Sequence, residues 1–363
     1  MEFLAEYGMF LAKVATIVVA LVIVIIVIVA SGTKGDKGSG KKGSLKVTQL
    51  NDHFEDLKDR IRQAVLDKNE LKNLHKEEKK QKKAEAKEKE RKRKEQQGAE
   101  EEADEADSGD AEPQRVYVLN FKGNIAADAV SCLREEISAI LSMAGSGDEV
   151  ILRLESPGGM VHAYGLASSQ LLRLKAKKIP LTICVDKVAA SGGYMMACLA
   201  DKLVAAPFAI IGSIGVLVQL PNFHRVLKKY DVDFEMISAG EYKRTLTTFG
   251  EITQKGRDKV QEDVETIHDL FKNWVKEHRP SVDIDKIATG ETWVGSLAKE
   301  RYMVDDLRTS DECILAACEN ADVFEVEYEF RKTIQDKLGR ILEQSIDKAL
   351  TGWFERSNVD RFQ

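Results

Sequence analysis

Between residues 116 and 240, apolar runs alternate with segments whose apolar positions recur every three or four residues. Residues 116–121, 150–155 and 181–186 read as strands, the second a buried run that ends at a Pro-Gly turn. Residues 127–143 and 160–175 have helical periodicity, and Val161, Tyr164, Leu171, Leu172 and Leu174 make up the apolar positions of the second. A short helix is expected over residues 193–199 and a further strand over 234–237. This alternation predicts an α/β fold with a mostly parallel sheet and covering helices. Farther on, Val260, Val264, Ile267, Leu270, Phe271 and Val275 share one face of a long helix over residues 255–278, expected to pack on the core. Ile334, Leu338, Ile341, Leu342 and Trp353 form a last apolar stripe, suited to a second subunit or a membrane surface.

The other end of the chain has a different pattern. Residues 14–30 are apolar apart from Thr16, and as a helix residues 9–30 would reach about 33 Å, enough to cross a bilayer. A cleaved leader would have a shorter apolar core and small residues before the cut, where Ile28 stands, so an uncleaved single-pass anchor is expected. The apolar stretch near 194–220 is interrupted by Asp201, Lys202 and Pro207 and reads as α/β core. Residues 31–112 follow the anchor as a linker. They are Gly/Ser/Lys-rich to residue 43, helix-compatible over 45–95, and acidic over 100–112. The expected organisation is an anchor at 1–30, this linker at 31–112, a catalytic domain at 113–328 and an amphipathic tail at 329–363.

Charge and cysteine content narrow the picture further. The net charge is −6, and no aromatic residues interleave the basic block, so nucleic acid is not an expected partner, whereas a bilayer is. Lys34, Lys37, Lys41, Lys42 and Lys46 follow the anchor and Glu2 and Glu6 precede it, which places the bulk of the chain in the cytoplasm by the positive-inside rule. Five cysteines, an odd number in apolar settings, suit buried thiols and not a disulfide framework.

The candidate chemistry centres on Ser191, set in Ala189-Ala190-Ser191-Gly192-Gly193 between a strand and a helix. A helix N-terminus presents unpaired N–H groups where acyl transfer develops negative charge, although serine is also an ordinary helix cap. Upstream, Ser156-Pro157-Gly158-Gly159 closes a strand, and adjacent glycines there can aim backbone N–H groups at a ligand. Gly158 or Gly159, with Gly192, would form an oxyanion hole. A nucleophile needs a base. Of the six histidines none has a triad context; His162 and His224 are the nearest to one, and His268 and His278 fall on a polar helix with solvated faces as the default. Lys243, in Gly240-Glu241-Tyr242-Lys243-Arg244, is the alternative, since burial can make a lysine neutral.

Taken in order, Ser156-Pro-Gly-Gly159, Lys187-Val-Ala-Ala-Ser191-Gly-Gly-Tyr194, Gly212-Ser-Ile-Gly-Val216 and Tyr242-Lys-Arg244 resemble the signal peptide peptidase A family. The likeness runs nearly end to end and is weakest in residues 31–112 and after 330. Glu155 departs from the Asp or Asn common before the Pro-Gly-Gly turn. The resemblance implies a fold related to Clp protease and crotonase and a Ser/Lys dyad, with Ser191 as nucleophile and Lys243 as general base. It also implies oxyanion donors at Gly158 or Gly159 and at Gly192, and Ser213 orienting the lysine. It implies a serine endopeptidase in the inner membrane acting on signal-peptide remnants or unfolded, membrane-derived segments, and a homo-oligomeric ring with the dyad shared between protomers. No cofactor or metal is implied. The family works outside the membrane, opposite to the side indicated by the charge flanks. Two rival readings remain: a crotonase-like acyl-CoA enzyme using the same sheet and donors, and an inactive membrane scaffold.

Overall fold

The computed structural model describes residues 43–67, 69–73, 114–145 and 147–330, with a few isolated positions among residues 13–16 and 76–80. The expected anchor and most of the charged linker and tail lie outside the described residues. Among the described residues no helix is long and apolar enough to cross a membrane.

The elements in chain order are β1 (Gly43–Gln49), α1 (Leu50–Val65), β2 (Arg115–Lys122), α2 (Val130–Met143), β3 (Glu149–Glu155), α3 (Val161–Ala176), β4 (Leu181–Val185), β5 (Val188–Ala190) and α4 (Gly192–Ala197). They continue with β6 (Lys202–Ala205), β7 (Ile210–Gly212), α5 (His224–Lys229), α6 (Gln254–His278), α7 (Ile284–Ile287), β8 (Thr292–Val294), α8 (Gly295–Glu300), β9 (Asp306–Leu307), α9 (Ser310–Cys318) and β10 (Asp322–Phe330). A seven-stranded sheet has the order β1-β10-β2-β3-β4-β6-β9, and β10, β2, β3, β4, β6 and β9 pair in parallel. A small second sheet, β5-β7-β8, is parallel at β5–β7 and antiparallel at β7–β8.

The reason for the parallel sheet lies in the strand sequences. A strand sends alternate side chains to opposite faces. In β2, Tyr117, Leu119 and Phe121 enter one core while Val116 and Val118 enter another. In β3, Val150, Leu152 and Leu154 join the first core and Ile151 the second. A strand apolar on both faces is stable only when both are covered. Leu133, Ile137 and Ile140 of α2 and Tyr164, Leu171 and Leu174 of α3 cover the first face. Leu50 and Phe54 of α1 and Ile314 and Ala317 of α9 cover the second.

Three expectations are corrected. Residues 43–65, expected as linker, contain β1 and α1, which belong to the sheet and its cover. The Asn51 amide donates to the carbonyls of Cys318 and Ala321 and accepts the Val323 N–H at 2.8 Å. Alongside the packing of Leu50 and Phe54, Asn51 ties α1 to the end of α9 and to β10, contacts between remote segments that patterning along the chain does not reveal. Residues 234–237 form no strand, and their apolar side chains, Ile237 above all, stay largely exposed. The stripe on α6 is buried only toward its C-terminal end, at Phe271 and Val275, while Leu270 is 64% exposed. A smaller difference is that β10 extends past the expected domain end to Phe330.

One buried charge has a consequence for stability. Glu136 of α2 is 5% exposed, accepts the Tyr328 N–H at 2.9 Å, and has no partner for its second oxygen among the described residues. Burial pushes its carboxyl up to about 7, against the Tyr328 hydrogen bond and with help from nearby Glu327. A raised carboxyl pKa means that the fold holds a proton which the unfolded chain releases above its ordinary value. Stability from this group is therefore complete below about pH 4.5 and declines as pH rises to about 7, by roughly 2–3 kcal/mol. Chemical denaturation of Glu136→Gln across pH 4–8 is expected to lose that decline, since the amide still accepts the Tyr328 N–H.

Candidate active site

The site lies at the carboxyl ends of β3 and β5, where a parallel sheet leaves a crevice. Ser156, just after β3, bridges to Ala189 of β5 and brings the two strand ends side by side. Ser191 follows β5 and stands immediately before α4 with φ 52° and ψ −119°, a left-handed conformation that a residue with a side chain rarely adopts. The surroundings hold it there. Its N–H donates to the Gly212 carbonyl at 2.8 Å, and Trp274 of α6 donates its indole N–H to the Met195 carbonyl of α4 at 3.0 Å.

The Pro-Gly-Gly turn packs directly on Ser191. A Cβ on Gly158, whose φ is +89°, would lie 2.7 Å from both the Ala190 carbonyl oxygen and the Ser191 Cβ. Beneath the turn runs a buried hydrogen-bond chain. The Tyr164 hydroxyl donates to the Asn124 carbonyl at 2.8 Å, so the 2.6 Å contact between Ser156 Oγ and the Tyr164 hydroxyl must have the serine as donor. Ser156 Oγ in turn accepts the Gly158 N–H at 3.1 Å. Burial holds the Tyr164 hydroxyl above its usual range, keeping it a proton donor. This chain separates the two glycines proposed as donors from the turn. The Gly158 N–H is engaged inside the turn, whereas those of Gly159 and Gly192 have no acceptor among the described residues.

Ser191, Gly159 and Gly192 line a cleft of ≈ 1080 Å³ together with Ser213. Ser213 follows Gly212, the acceptor for the Ser191 N–H, at φ 53°, and its own N–H donates to the Glu291 carbonyl at 2.6 Å. Ile125, Met195, Leu217 and Phe271 give the cleft an apolar wall. His268 also lines it, with a buried Nε2 that has no partner among the described residues. A solvated face was expected for His268. The available signal was its register: it stands four residues after Val264 and three before Phe271, on the same stripe of α6. His162 is exposed on α3 and His224 opens α5, and neither lines the cleft.

Lys243 is not in the cleft. It is exposed at the end of a turn, its N–H donating to the Gly240 carbonyl at 3.2 Å, and it lines a separate cavity of ≈ 680 Å³ with Phe234, Met236 and Ile237. The separation follows from α6. Lys255, in its first turn, pairs with Glu241 beside Lys243, whereas His268 and Phe271 line the cleft. The 13 positions from Lys255 to His268 span roughly 20 Å of helix, more than a lysine side chain can bridge.

Residues 2–171 match the N-terminal domain of peptidase family S49, and residues 173–324 match peptidase family S49. A protein of Haemophilus influenzae named Probable protease SohB is 47% identical over 344 residues, covering 95% of this chain and 94% of that one. Another of that name, from Buchnera aphidicola subsp. Schlechtendalia chinensis, is 44% identical over 316 residues, 87% of this chain and 100% of that one. Protease 4 of Haemophilus influenzae is 30% identical over 210 residues, 56% of this chain and 34% of that protein. Nearly one residue in two shared along the whole of both chains is more than a common fold: this protein belongs to peptidase family S49 and is a peptidase.

Proposed function

We propose that the protein is a membrane-anchored serine endopeptidase in which Ser191 is the nucleophile and Lys243, delivered by a neighbouring protomer, is the general base. The observation that carries this reading is Ser191 itself: a strained serine at a strand-to-helix turn, flanked by two unengaged backbone N–H groups and open to a largely apolar cleft. The Ser191 hydroxyl proton passes to the lysine amine as Oγ attacks the substrate carbonyl carbon. The N–H groups of Gly159 and Gly192 receive the developing oxyanion. Collapse breaks the peptide C–N bond, and the lysine ammonium returns its proton to the departing amine. Water, deprotonated by the same lysine, then releases the acyl group from Ser191.

This chemistry requires an amine free of its proton. Entry into a neighbour's cleft would strip water from the side chain and disfavour its charged form. Ser213 is placed in that cleft to accept a hydrogen bond from the arriving amine. The surface around Lys243 supports assembly: Ile237 (99% exposed), Phe234 (45%) and Met236 (44%) line its cavity, and clustered exposed apolar side chains of this kind mark interaction surfaces. Residues 14–30 support a single-pass anchor. An apolar cleft near a membrane suits extended, apolar peptides such as signal-peptide remnants or unfolded membrane segments.

The test combines a fluorogenic apolar peptide with a serine-directed fluorophosphonate. Hydrolysis and labelling are expected in the wild type and neither in Ser191→Ala. Binding of an acyl-CoA without labelling would replace the peptidase chemistry with the crotonase-like reading. Absence of both labelling and turnover in the wild type would favour a scaffold.

A further inference from the structure

The turn that carries Lys243 is held on both sides by the first two turns of α6. Gly240 at φ +96° and the Lys243 N–H donating to its carbonyl close a turn whose two central residues are Glu241 and Tyr242. Both central side chains reach α6. The Glu241 carboxylate pairs with Lys255, and the Tyr242 ring has the ammonium groups of Lys255 and Lys259 each 5.8 Å from its centroid. On the other side of Lys243 the backbone touches the same helix: a Cβ on Gly256 would lie 2.5 Å from the Thr245 carbonyl oxygen. The helix start is itself capped, with Thr253 Oγ1 accepting the Gly256 N–H at 3.1 Å. Farther along, α6 reaches the Ser191 cleft through Phe271 and is bonded to α4 through Trp274. One rigid helix therefore holds the nucleophile's cleft at one end and the lysine's turn at the other.

We infer that Lys255 and Lys259 are positioning residues for the peptidase reaction, fixing the Lys243 turn through Glu241 and the face of Tyr242. The inference rests on Lys243 being the general base. The clamp touches the two residues immediately before Lys243 and leaves the Lys243 side chain free, as is needed if it is to be presented to a second copy of the chain. Lys259 has a further hold, on Glu262 and Asp263 along α6, which keeps its ammonium over the ring. A ring with two cations 5.8 Å from its centroid is attracted to both, so the contact depends on the aromatic face and not on the tyrosine hydroxyl. A general base displaced by about 1 Å loses much of its effect, of order 10²-fold, while substrate still binds.

The experiment measures kcat and KM separately on the full-length protein, with its oligomeric mass followed by light scattering. Lys255→Ala/Lys259→Ala is expected to lower kcat by about 10–100-fold with KM within about twofold, at unchanged mass. Lys255→Arg/Lys259→Arg, which keeps both cations, should recover kcat to within about threefold. Tyr242→Phe should retain wild-type kcat, and Tyr242→Leu should fall with the double alanine variant. The clamp is overturned if the double alanine variant keeps wild-type kcat while Lys243→Ala is inactive. It is equally overturned by a loss that arginine does not rescue, or by one that accompanies a change in oligomeric mass, either of which marks a general structural role. Full activity in Lys243→Ala would instead remove the general base, a separate failure that the same assay identifies.

Discussion

Purified Ser191→Ala and Lys243→Ala proteins should each fall at least about 10⁴-fold below wild type in peptide cleavage and regain activity when their subunits are mixed. Removing either member of a nucleophile–base pair abolishes proton transfer and attack together, which is why each single loss is so large. Recovery on mixing follows from geometry. The Lys243 turn is tied to the first turns of α6 and the Ser191 cleft to residues 267–271, so one chain does not bring its own serine and lysine together. In a ring of heterologous contacts at equal mixing, about a quarter of the boundaries would join an intact serine to an intact lysine. The readout is turnover of the fluorogenic peptide after subunit exchange has been verified with two affinity tags. Verified exchange with no returning activity would mean that the dyad forms within one chain, by a movement of the 216–253 segment.

Alanine at either unengaged donor, Gly159 or Gly192, should also be damaging, by a different route. Gly192→Ala would place a methyl carbon 2.4 Å from the Tyr164 ring, and Gly159→Ala would place one 2.1 Å from the Ile125 carbonyl oxygen. Both substitutions keep the backbone N–H but force it to move, and a misplaced oxyanion donor costs about 10²–10³ in kcat. Gly165→Ala is the matched control, because in α3 it meets no atom within 4 Å. It should leave kcat unchanged and raise stability by roughly 0.5–1 kcal/mol, as alanine does in a helix interior. Wild-type turnover in Gly192→Ala would remove that N–H from the site. These variants should be compared by kcat/KM together with thermal melting, so that misfolding is separated from a displaced donor.

Much of the site was legible because its local motifs carry their own geometry. A serine between small residues at a strand-to-helix boundary, and two glycines after a proline at another, specify tight turns through their residue types alone. Distinguishing Gly158 from Gly159 was not possible at that level. It depends on Ser156 Oγ, oriented by Tyr164 and Asn124, accepting one N–H and leaving the next unengaged. His268 was misjudged because charged neighbours on α6 masked its place on the apolar stripe. The roles of β1 and α1 were missed because their partners lie about 270 positions away: β1 neighbours β10 in the sheet, and Asn51 of α1 bonds Cys318, Ala321 and Val323.

The sequence by itself determined what depends on neighbours along the chain: the strand and helix alternation, the two-faced apolar strands that demand a covered parallel sheet, and the turns bearing Ser191 and Pro157. Only the tertiary structure decided what depends on distance between remote segments. It placed Ser213 and His268 in the Ser191 cleft and Lys243 in a different cavity. The physical reason is that a motif fixes local backbone angles over a few residues, whereas the separation of Ser191 and Lys243 is set by the rigid length of α6, a quantity that belongs to neither motif.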